Sequence, residues 1–87
     1  MTTLAQAKDW FRSQRNVRMV DHIVPEYLKK PGVCGPRLVE VAGDTIIFNG
    51  GQSHLDLGDK HFEYDELLDR LSVYLDGKFM ITYESVL

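Results

Sequence analysis

Hydrophobic and polar positions change period several times along the chain, and each change predicts an element. Leu4, Ala7 and Phe11 recur at helical spacing with Lys8 and Arg12 beside them, and Thr3 precedes them as an N-cap, which predicts a helix over residues 4–14. Trp10 falls at the edge of this apolar face, where an indole seals a core and turns its N–H outward to a hydrogen-bond partner. Val17, Val20, Val24 and Tyr27 would also suit a helix, but Pro25 breaks it and forces Val24 toward extended backbone. The reading is therefore an extended segment over 17–23 and a short helix over 25–30, with Pro25 in its first turn and Pro31-Gly32 as its stop.

Residues 31–36, PGVCGP, hold too much glycine and proline for anything but a loop. Strands are predicted over 37–42, 45–49 and 53–57, with Gly43-Asp44 suited to a type II' turn and Asn49-Gly50-Gly51 to the next reversal. In YDELLDRLSVYLDG the period returns to that of a helix: Leu67, Leu68, Leu71, Tyr74 and Leu75 share one face, Asp65 caps the start and Gly77 ends it. The predicted helix spans 65–76. Phe79, Ile81 and Tyr83 then alternate with Met80, Thr82 and Glu84 as a final strand over 78–84. The expected fold class is α+β. A mainly antiparallel sheet, made of the 37–57 meander and the C-terminal strand, carries helices 4–14 and 65–76 on one face.

Composition narrows the picture. With 87 residues, 44% hydrophobic and 26% charged, the chain reads as one domain over 1–87 with little room for a deep cavity. Its apolar runs are too short for a membrane span, and MTTLAQAKDW lacks the basic and apolar segments of a secretory signal. The single Cys34 allows no internal disulfide, so the expected location is cytoplasmic. Charge is divided: residues 1–43 carry seven Lys or Arg against four Asp or Glu, and residues 44–87 carry three against nine. Such polarity steers a charged partner or favours self-association.

Four groups of residues are candidates for chemistry or recognition. His54, Asp56 and His61 are residue types that bind zinc, yet their spacing matches no strong metal motif, and His54 and Asp56 read as the solvent-facing row of a strand. Cys34 with one of His22, His54 or His61, and an acid such as Asp56, would supply the residue types of a thiol nucleophile, without the local sequence of a known cysteine-enzyme family. Lys8, Arg12, Arg15 and Arg18 near Trp10 form a basic patch of the kind that contacts RNA or DNA weakly. Asp65, Asp69 and Asp76, joined by Glu63 and Glu66, would line one outward stripe of the second helix, able to imitate phosphate spacing or meet a basic groove.

The expectation that follows is a non-enzymatic protein, without metal or cofactor, that covers a surface of a larger protein partner. An inhibitor, adaptor or immunity-type role fits, such as a phage or mobile-element inhibitor of a nucleic-acid enzyme. The recognition residues would be Glu63, Asp65, Glu66, Asp69 and Asp76, with Trp10, Arg12 and Arg15. A small metal-dependent or thiol hydrolase built on His54, Asp56, His61 and Cys34 is the alternative, and a weak nucleic-acid-binding module the third reading. Undefended sheet edges leave a homodimer open.

Overall fold

The computed structural model describes residues 2–30 and 35–86. Helix α1 spans Leu4–Ser13 and is followed by strand β1, Asn16–His22, and a 3-10 helix, Pro25–Lys29. Six further strands follow among the described residues: β2 Arg37–Ala42, β3 Thr45–Phe48, β4 Ser53–Asp56, β5 His61–Asp65, β6 Arg70–Leu75 and β7 Lys78–Ser85. All seven join one antiparallel sheet in the order β4-β3-β2-β1-β7-β6-β5. The class is thus sheet-dominated α+β, with one α-helix among the described residues. Of the loop predicted over 31–36, residues 31–34 lie outside the described residues.

Local chemistry explains the elements that agree with the sequence. Thr3 and Gln6 form a reciprocal capping box: the Gln6 amide N–H donates to Thr3 Oγ1 and the Thr3 amide N–H to Gln6 Oε1. The two-residue β2–β3 turn places Gly43 at φ +61°, the first position of a type II' turn, where a side chain would be strained. Buried and exposed positions alternate in β4 as expected, with Leu55 inward and His54 and Asp56 outward.

The helix expected over 65–76 does not form. Residues 61–65 and 70–75 are β5 and β6, paired from His61↔Tyr74 to Asp65↔Arg70, and β6 pairs in turn with β7. Asp76 and Gly77, at φ +52° and +75°, form the two-residue turn of the β6–β7 hairpin, the left-handed pair required by type I'. Gly77 therefore takes the left-handed conformation expected of it, but as a hairpin turn and not as a helix stop. Leu71 and Val73 alternate inward along β6, and Leu67 and Leu68 lie in the exposed β5–β6 turn. As a strand, this segment gains backbone partners on both sides, which outweighs the helical spacing of its leucines.

The sheet cannot be flat. Its edge strands β4 and β5 would stand about 29 Å apart across six strand spacings of ~4.8 Å. Yet only residues 57–60 join them, and that link bridges at most about 18 Å from Asp56 to His61. The sheet must curl, and its weakest seam is β1–β2, paired only at Asn16↔Leu38 and Val17↔Arg37. The apolar face of α1 fills the curl: Ala7, Trp10 and Phe11 join Val17, Ile46, Phe48, Leu57, Leu71, Val73 and Tyr83 in one core. Phe11 packs edge-on against Trp10 and Tyr83, with ring centroids 5.0 and 5.7 Å away, and Phe48 stacks on Tyr83 at 5.5 Å.

Candidate functional site

An open groove of about 1040 Å³ runs between α1 and the β5–β6 hairpin. Helical spacing sets one wall, since Gln6, Asp9, Trp10 and Ser13 project from the same side of α1. Glu63, Tyr64 and Asp65 of β5, with Glu66 and Leu67 of the turn, form the other, and Leu71 and Ser72 of β6 complete the lining. Thr2 closes one end: it bridges to Phe62, and its Oγ1 accepts the Tyr64 amide N–H at 3.1 Å.

The turn is held by its own side chains. Asp65 Oδ1 accepts the amide N–H groups of Leu67 and Leu68 at 3.0 and 3.2 Å, an Asx arrangement that fixes the backbone as β5 ends. Asp69 sits at φ +50°, and its Oδ1 accepts both the Trp10 indole N–H at 2.9 Å and the Tyr64 hydroxyl at 2.8 Å. Those two donors, the indole first, hold the Asp69 carboxyl below the usual carboxylate range. The same contact pushes the Tyr64 phenol up, because the carboxylate binds its neutral form. Held in this way, the turn projects Leu67 with 97% of its surface exposed, next to Leu68 at 54% and Tyr64 at 41%.

Asp9, Glu63, Asp65 and Glu66 line the groove, and among the described residues no Lys or Arg does. Asp9 is paired with Arg12, so Glu63, Asp65 and Glu66 supply the net negative charge beside the apolar base of Trp10 and Leu71, which favours cationic groups.

The predicted recognition residues are redistributed. Trp10, Glu63, Asp65 and Glu66 come together at the groove, Asp69 stands beside it as the anchor for Trp10, and Asp76 is in the separate β6–β7 turn. There is accordingly no acidic helix stripe. Arg12 pairs with Asp9 at 3.0 Å, Lys8 with Asp44 at 2.9 Å, and Arg18 with Glu84. Arg15 is exposed. The N-terminal basic patch is thereby largely neutralised within the chain. Glu84, gripped by Arg18 and by Arg70 at 3.2 Å, has its carboxyl held low for that reason.

His54 and Asp56 lie on β4 and His61 on β5, the two ends of the strand order. Among the described residues, no group of three His, Cys, Asp or Glu side chains could hold a metal. Cys34 lies outside the described residues. No described helix is long and apolar enough to cross a membrane.

Sequence reasoning missed Asp9, Tyr64 and Leu67. Tyr64 was legible as part of HFEYD, which alternates as a strand does. Leu67 was hidden because it completes the helical leucine pattern that the fold does not use. No protein-family model, no curated protein and no solved structure matches this chain.

Proposed function

We propose that this chain is a non-enzymatic binding protein that covers a surface of a larger protein, an inhibitor or adaptor, and that the groove between α1 and the β5–β6 turn is its contact surface. Leu67 carries the reading. A leucine held almost wholly in water by a hydrogen-bonded turn contributes nothing to this fold, whereas an apolar anchor ringed by charge is the usual centre of a protein contact. The carboxylates around it favour a partner site that offers an apolar pocket with Lys or Arg at its rim.

The test compares the protein with its Leu67→Ser variant as baits in a lysate of the source or host cell, with bound protein quantified at two salt concentrations. A stoichiometric protein retained by the parent, lost with Leu67→Ser and released by salt supports the reading. Retention that is equal for both baits, or no retained protein, overturns it.

A further inference from the structure

The two edges of the sheet differ. Thr2 covers β5 through its bridge to Phe62 and its contact with the Tyr64 amide. At β4, the Leu57 amide N–H donates inward to the Asp44 carbonyl at 2.8 Å, so the amides of residues 55 and 57 face β3. By strand alternation, the N–H and C=O groups of His54 and Asp56 face away from the sheet, and among the described residues none hydrogen-bonds to their amides. The side chains of both are exposed, whereas Leu55 between them points into the core.

We infer that β4 pairs with β4 of a second copy of this chain, antiparallel about a two-fold axis at Leu55. In that register His54 lies opposite Asp56 of the second copy, and Asp56 opposite its His54. The outward groups of each residue then meet those of its opposite number, forming four backbone hydrogen bonds. An imidazole N–H donates to a carboxylate on each side of the axis. Asp56 Oδ1 accepts the Gly58 amide N–H at 3.0 Å within its own chain, which leaves Oδ2 for this contact. The neighbouring registers that keep the hydrogen-bonding phase set His54 against His54, where the imidazole meets no carboxylate, or Asp56 against Asp56, where like charges directly opposite are destabilising. The order His-Leu-Asp on this edge is therefore self-complementary in one register only. The contact is isologous, joins the two sheets through their β4 edges and leaves the α1 groove outside it.

Sedimentation of the intact chain and two charge variants tests this. The parent protein is expected to form a dimer as concentration rises. His54→Asp places acids opposite acids and Asp56→Lys places bases opposite bases, so each alone should dimerise at least about tenfold more weakly. An equimolar mixture of the two should recover association as a heterodimer, which also shows that both variants are folded. His54→Pro, which removes one outward N–H from an edge that tolerates proline, should likewise be monomeric. A parent protein that stays monomeric up to about 1 mM overturns the inference. So does a mixture that fails to associate, or a dimer that persists in His54→Pro.

Discussion

The indole nitrogen of Trp10 and the carboxylate of Asp69, 59 positions apart in sequence, meet at 2.9 Å. This contact ties α1 to the β5–β6 turn and sets the width of the groove between them. A hydrogen bond to a charged acceptor contributes about 1.5–3 kcal/mol. Asp69→Ala, which also leaves a non-glycine residue at positive φ, should cost about 2–3 kcal/mol in urea unfolding followed by the fluorescence of the single tryptophan. Asn tolerates that backbone conformation and keeps an acceptor oxygen, so Asp69→Asn should cost about 1 kcal/mol. Equal losses for the two variants would show that the charge, and not the backbone, carries the effect.

Acid should weaken the fold through Asp69 and Glu84. Both carboxyls are held below their ordinary values, by the Trp10 and Tyr64 donors and by Arg18 and Arg70 respectively. Near pH 4 the unfolded chain then binds more protons at these positions than the folded one, so stability rises with pH. Their contribution is complete above the ordinary carboxylate value of about 4 and is lost as pH falls through the lower folded values. Melting temperatures measured from pH 7 down to pH 2 should fall below about pH 4, less steeply in Asp69→Asn.

At alkaline pH the sign reverses. Burial pushes the Tyr83 phenol well above its ordinary value, so the folded chain keeps a proton that the unfolded chain releases. The corresponding stability is present below about pH 10 and is lost as pH rises beyond it. Absorbance of ionised tyrosine near pH 11 should show one tyrosine that titrates only with unfolding, and Tyr83→Phe should remove that component.

Phe11 joins the helix to the sheet. It is fully buried between Trp10 and Tyr83, and Phe11→Ala should cost about 3–5 kcal/mol. A chain of this size has about 4–13 kcal/mol in total, so denaturant midpoints for this variant should lie close to unfolding. Leu67→Ser, by contrast, should stay within about 0.5 kcal/mol of the parent, because that side chain touches little.

The β6–β7 turn offers a local test of why residues 70–75 are a strand. An added Cβ at Gly77 would meet nothing within 4 Å, so Gly77→Ala is opposed only by its φ of +75°. A loss of about 1–2 kcal/mol in thermal unfolding is expected. No loss would mean that the turn has no part in holding β6 against β7.

Short-range chemistry written in the sequence fixes much of this molecule. The Thr3 cap, the Pro25 break, the Gly43-Asp44 turn and the Asn49-Gly50-Gly51 reversal each act over a few residues, and each reappears in the fold. The outward placement of His54 and Asp56 was equally legible, since a strand with one buried face allows no other. Residues 65–76 were decided elsewhere. Their leucines satisfy a helical face, but Leu71 and Val73 also satisfy a strand, and period alone cannot rank the two. The decision lies in partners distant in the chain: β7 on one side, β5 on the other, and α1, whose Trp10 reaches Asp69. The groove follows from the same decision. Glu63, Asp65 and Glu66 are neighbours in sequence, but Asp9 and Trp10 join them only because the curled sheet sets β5 beside the helix, a relation that no local pattern encodes.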